Sequence, residues 1–144
     1  LPDGADSDAF EDVLDMALVR NLPVICTNPD RASPRAGGVQ VVSPGTLAHA
    51  HAARGSKVLF YGKPHLPVFR AIESTLALTP DRLLMVGDSL EHDIAGAKAA
   101  GWQALLIEGG LHANLLRKTG PEALADLARA EAAPFPDFTL PELC

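Results

Sequence analysis

Few aromatic residues, only two cysteines, no surplus of basic charge and no long apolar run set the first limits on this chain. Aromatics make up 5% of the 144 residues against 47% hydrophobic residues in all, so a core of Leu, Val, Ile and Ala is expected, in a length suited to one domain. Cys26 lies inside an expected strand and Cys144 is the last residue, a placement that forms no disulfide framework and makes a reducing cytoplasm the default location. Lys and Arg number 12 and Asp and Glu 18, a net charge of −6, and no basic stripe or aromatic-basic interleaving occurs. Nucleic acid is therefore not an expected partner. No apolar run reaches about 18 residues, and none reads as a signal peptide, so neither a membrane span nor a secretion signal is expected. Internal repeats and low-complexity blocks are absent as well.

What is present is an alternation of helical and strand patterns. Phe10 to Arg20 puts Phe10, Val13, Leu14, Ala17 and Leu18 on one helical face, with Ser7 or Asp8 as the expected cap. A short strand, Leu22 to Cys26, leads into a Pro-, Gly- and Ser-rich connection from Pro29 to Pro44, broken by Val39 to Val42. An Ala-rich helix over 45–54 stops at Gly55, and a strand follows over 58–61. Beyond it the pattern predicts helix 67–78, strand 83–86, helix 91–100 and strand 104–107, an order that implies parallel strands with right-handed crossovers. Two further helices are expected over 113–118 and 121–130, then an extended tail from Pro134.

The most informative stretch is Val86-Gly87-Asp88-Ser89-Leu90-Glu91-His92-Asp93. Leu83 to Val86 is an uninterrupted apolar run, as in a strand covered on both faces, and Gly87 allows a sharp turn at its end. Asp88 is thus expected at the carboxyl end of a strand, the edge where open α/β sheets bind ligands and where a hard divalent cation finds carboxylate oxygens. Asp93, five residues on, is placed to support it, and Ser89 either orients Asp88 or serves only as a turn residue.

This turn, with Tyr61-Gly62-Lys63-Pro64 upstream, resembles the haloacid dehalogenase (HAD) superfamily of phosphatases and related hydrolases. The resemblance implies metal-binding roles for Asp88 and Asp93 and a phosphate-neutralising role for Lys63, which precedes Asp88 by 25 residues. Val24 to Asp30, Gly37-Gly38 and Pro44 to Leu47 are similar to members of class IIA, in which an Asn-Pro-Asp loop of a cap domain faces the active site. On that likeness Asn28 and Asp30 contact substrate, with Ser89 a third substrate-binding candidate, although Asn-Pro-Asp is also ordinary turn chemistry. The similarity covers residues 20 to 112. It implies an α/β fold, a partial HAD-like Rossmannoid three-layer parallel sheet with part of an α/β cap, divided as cap over 1–57 and core half over 58–144.

The family's nucleophile, an Asp in a DxDG-like motif ending an amino-terminal strand, has no counterpart here. Asp6-Ser7-Asp8 has the D-x-D spacing but follows Leu1-Pro2-Asp3-Gly4-Ala5, which is no buried strand, and an exposed, helix-capping loop describes it better. The chain is therefore expected to be a carboxyl-terminal piece that self-associates or pairs with its missing amino-terminal half. The resemblance implies Mg2+-dependent hydrolysis of a small phosphorylated metabolite through an aspartyl-phosphate in the complete protein, with this chain inactive alone. The alternatives are a non-catalytic metal- or phosphate-binding or assembly module, or a truncated remnant. Each site residue also has an ordinary alternative: Asp88 and Asp93 as helix caps and Lys63 as a solvated loop lysine. His49 and His51 are not expected to form a metal pair, His65, His92 and His112 suit surface or cap roles, and Trp102 is expected to pack behind a helix end.

Overall fold

The computed structural model describes residues 7–34, 40–119 and 121–143, which divide into two compact units, the first ending at Gly62 and the second starting at Lys63. Asp6, Gly37-Gly38 and Cys144 lie outside the described residues. In the first unit, α1 (Glu11–Val19) precedes β1 (Val24–Cys26), β2 (Ala32–Pro34) and β3 (Gln40–Val42) form an antiparallel pair, and α2 (Pro44–Ala53) leads to β4 (Val58–Phe60). β1 and β4 pair in parallel, Ile25 opposite Leu59. The cap of α1 differs from expectation: a short 3-10 turn, Ser7–Phe10, precedes the helix and puts Phe10 at the N-cap, so neither Ser7 nor Asp8 occupies that position.

The second unit carries α3 (Leu66–Leu76), β5 (Leu84–Gly87), a π turn (Leu90–Ile94) continuing as α4 (Ala95–Ala100), β6 (Gln103–Ile107), α5 (Ala113–Thr119), α6 (Pro121–Ala130) and β7 (Phe138–Leu140). Its sheet is parallel throughout in the order β5-β6-β7. The α/β alternation thus appears as the expected parallel sheet. Gly101 ends α4 in the left-handed region at φ +84°, a conformation glycine adopts without strain. Among the described residues no helix is long and apolar enough to cross a membrane.

The core of this unit lies on one side of the sheet. Ala104 and Leu106 face Phe69 of α3, Leu90 and Ile94 of the π turn, Ala97 of α4 and Ala128 of α6, all buried. Trp102 packs behind the end of α4 and meets Phe69 edge-on at 5.1 Å between ring centres, with its indole N–H donating to Glu73 Oε1 at 2.7 Å. Gly96 lies so close to the Phe69 ring and the Pro64 backbone that an added Cβ would overlap both.

Two expectations need correction. Leu83 to Val86 was expected to be covered on both faces, yet Leu84 and Val86 are each 45% exposed, as are Phe138 (50%) and Leu140 (37%) of β7. Since parallel register puts Val86, Leu105 and Phe138 on one side, the described residues cover only the opposite face. The apolar run reports what the strand requires, not what supplies it. The tail from Pro134 is not merely extended: Phe138–Leu140 joins the sheet. Asp137 docks it, donating its N–H to the Ala104 carbonyl at 2.8 Å while its carboxylate accepts from the Ala104 N–H at 2.8 Å and Lys98 Nζ at 2.7 Å.

Candidate functional site

The turn after β5 is built around Asp93. The expected helix over 91–100 begins instead with a π turn, because the Ser89 carbonyl accepts from both Asp93 N–H (3.0 Å) and Ile94 N–H (3.1 Å). That wider turn accompanies a folded-back Asp93 carboxylate, whose Oδ2 accepts the Asp88 and Ser89 N–H groups at 3.1 Å each. Its Oδ1 receives Lys63 Nζ at 2.5 Å. The Asp93 side chain is 5% exposed and that of Lys63 46%, so a buried carboxylate anchors an ammonium group that remains in contact with solvent. Gly87 is required here by close approach, since a Cβ would overlap the Asp93 carboxyl group.

Ser89 is buried and caps the turn. Its Oγ accepts the His92 N–H at 3.2 Å and lies 3.0 Å from His92 Nδ1. The exposed Asp88 stands at the carboxyl end of β5 and lines a cleft of about 480 Å³ with Val86, Gly109, Gly110 and Glu142. Asp88 Oδ2 accepts the Leu111 N–H at 2.9 Å, and Gly110 approaches the Asp88 side chain so closely that a Cβ there would overlap it. Lys63, Asp88, Ser89 and Asp93 thus come together within the second unit.

These contacts divide the work between the two carboxylates. Asp93 is occupied by two N–H donors and an ammonium group, whereas Asp88 has one donor among the described residues and borders a cleft. An exposed carboxylate oxygen suits a hard cation, which also retains water ligands. Among the described residues no cluster of three or more His, Cys, Asp or Glu side chains could hold a metal.

Asn28 and Asp30 belong to the first unit. Asn28 is exposed, and its Oδ1 accepts the Asp30 N–H at 3.3 Å, closing an Asx turn. The loop is held from several sides. His49 Nε2 lies 3.2 Å from the Pro29 carbonyl, with its ring stacked on Phe60, and Gly45 and Gly62 admit the loop where a Cβ would overlap it. His51, two residues from His49, is buried, and its ring nitrogens find no hydrogen-bond partner among the described residues. Burial pushes the Cys26 thiol above its ordinary range, which disfavours a nucleophilic thiolate.

Sequence reasoning missed the loop after β6. In Gly109-Gly110-Leu111-His112, Gly110, the Leu111 N–H and His112, whose Nε2 accepts the Leu90 N–H at 3.4 Å, all bear on the Asp88 turn. The paired glycines were the available signal, since close backbone approach is a standard reason for glycine at a strand end.

A family model described as HAD-hydrolase-like matches residues 60–139, more than half of the chain. The chain is 28% identical over 127 residues to a dihydroxyacetone phosphatase of Corynebacterium glutamicum, covering 82% of this chain and 46% of that protein. It is 34% identical over 89 residues to human chronophin, covering 61% of this chain and 30% of that protein. Among solved structures it resembles p-nitrophenyl phosphatase from Archaeoglobus fulgidus, with a TM-score of 0.75 and 25% identity, covering 96% of this chain and 50% of that one. The chain thus spans half or less of the length of each of these relatives.

Proposed function

The chain belongs to the HAD-hydrolase-like family, and on that premise we propose that its complete protein hydrolyses the phosphomonoester of a small metabolite with Mg2+ as cofactor. The observation that carries this reading is the Lys63–Asp93–Asp88 arrangement at the carboxyl end of β5, beside a cleft. The similarity to proteins named as phosphatases supports it.

Asp88 would hold Mg2+, which when bound supplies positive charge to the phosphoryl oxygens. Lys63 has an ammonium group fixed by Asp93 and still open to solvent, and it neutralises charge that builds on the transferring group. Asp93 is a positioning residue for both: it sets the Lys63 ammonium and ties down the Asp88 backbone. Ser89 caps the turn that presents Asp88, and Asn28 and Asp30 contact substrate from the cap, to which the first unit is assigned. The nucleophile is an Asp in a segment beyond this chain: its carboxylate attacks phosphorus and displaces the metabolite's ester oxygen, which takes a proton from the second Asp of the same motif and leaves as the alcohol, and water then attacks the aspartyl-phosphate, releasing inorganic phosphate and restoring the carboxylate. This chain alone is then inactive. The exposed apolar face of Leu84, Val86 and Phe138, and the unpaired edge of β5 among the described residues, favour self-association or pairing with that segment.

The test is Mg2+-dependent hydrolysis of p-nitrophenyl phosphate by the full-length protein, by its Asp88→Asn and Lys63→Met variants, and by this chain. We expect turnover by the full-length protein, losses of about 100-fold or more in both variants, and none by the chain. Turnover by the full-length protein that is indifferent to Asp88→Asn would overturn the reading.

A further inference from the structure

The loop after β6 grips the Asp88 turn at two adjacent points, and one of them is a side chain. The Leu111 N–H binds Asp88 Oδ2 at 2.9 Å, and the next residue, His112, reaches the Leu90 N–H with Nε2 at 3.4 Å. Leu90 opens the π turn, so its N–H is one of the donors that a helical start leaves without an intrahelical acceptor. Other donors of the turn are met within it: those of Asp88 and Ser89 by Asp93, and that of His92 by Ser89 Oγ. Leu90 takes its acceptor from outside, across 22 residues of sequence.

The His112 ring is 10% exposed, and its second nitrogen, Nδ1, lies 3.8 Å from Glu131 Oε1, just beyond α6. A backbone N–H can only donate, so a ring that accepts at Nε2 carries its proton on Nδ1, facing that carboxylate. A nearby negative charge favours the proton on that nitrogen.

We infer that His112 is a positioning residue for the Asp88 turn, an imidazole fixed as the Nδ1–H tautomer between Glu131 and the Leu90 N–H. Its bond to Leu90 keeps the 109–112 loop on the turn. The same loop brings the Leu111 N–H to the Asp88 carboxylate and Gly110 against its side chain. Without the clasp, Asp88 Oδ2 loses its fixed donor and the carboxylate its orientation. The consequence for cation binding rests on the proposed role of Asp88; the clasp itself does not.

Long-range 1H–15N NMR on the 144-residue chain reads the tautomer directly. A proton on Nδ1 with Nε2 bare is expected, and a proton on Nε2 overturns the inference. Two variants separate positioning from packing: His112→Phe keeps a ring but no acceptor, and His112→Gln places an amide oxygen near the position of Nε2. We expect the Leu90 amide to exchange about tenfold faster in His112→Phe than in the wild type or His112→Gln, and Mg2+ affinity to fall about tenfold and recover in the same pattern. Identical Leu90 exchange in the two variants overturns the clasp. A wild-type chain that takes up no Mg2+ counts against the metal role of Asp88, while the tautomer and the Leu90 exchange still decide the clasp.

Discussion

Removing the Asp93 carboxylate should unfasten the turn, and the structure allows the cost to be apportioned. Asp93→Ala strips the acceptor from the Asp88 and Ser89 N–H groups, and an orphaned donor away from water costs about 1 to 3 kcal/mol. Lys63 is 46% exposed and returns to water when its partner goes, so the lost ion pair adds no more than about 1 kcal/mol. Because the Asp88 N–H is only partly buried and water reaches it, the total settles near 3 to 4 kcal/mol, against the roughly 5 to 15 kcal/mol that stabilise a typical domain. Asp93→Asn retains one oxygen for both N–H groups but turns its amide N–H2 toward Lys63, so about 1 to 2 kcal/mol is expected. Urea unfolding followed by Trp102 fluorescence measures both, since Trp102 is the single tryptophan and sits in the core of the same unit. An Asp93→Ala unfolding free energy within about 0.5 kcal/mol of wild type would refute the reasoning. An Asp93→Asn as damaging as Asp93→Ala would show that the charge facing Lys63, not the two N–H groups, holds the turn.

Gly110→Ala drives a Cβ into the Asp88 side chain; a loss of about 1 to 3 kcal/mol is expected, with the Leu111 N–H losing its protection from exchange, and unchanged stability with full protection would contradict the close approach. Asp137 is held below the ordinary carboxylate range, first by the hydrogen bond from Lys98 and then by that from the Ala104 N–H. A folded-state value below the unfolded one contributes stability that is present above the ordinary carboxylate value and is lost as pH falls through the folded value. Asp137→Asn should therefore flatten the acid limb of a stability-against-pH curve below about pH 4 and lower the plateau above it by about 1 kcal/mol or less, given solvent screening of an exposed pair. Parallel acid limbs in variant and wild type would contradict that assignment.

The strand-turn-helix around Asp88 was legible because its signals are local: an apolar run, a glycine and two aspartates between Leu83 and Asp93. The parallel alternation of the second unit was legible for the same reason. The π turn was not, since its width follows from the Ser89 carbonyl taking two donors and from Asp93 folding back, which periodicity does not encode. β7 was hidden because three residues between prolines carry little pattern, and the docking that fixes them comes from Lys98 and Ala104, more than thirty residues away. His112 was read as a surface or cap residue because its partner, Leu90, lies 22 residues upstream and reaches it only through the register of β5 on β6. The exposed face of Leu84 and Val86 was unreadable for a simpler reason: a strand needing cover and a strand having it share one sequence.

The Asp88 turn is proposed to hold a cation and a phosphate. Amide NMR of this chain titrated with Mg2+ and then inorganic phosphate tests it most directly. Saturable shifts centred on Gly87 to Asp93 and Gly109 to His112 are expected, vanishing in Asp88→Asn and persisting in Asp30→Asn. Shifts that survive Asp88→Asn, or that gather elsewhere in the chain, would contradict it.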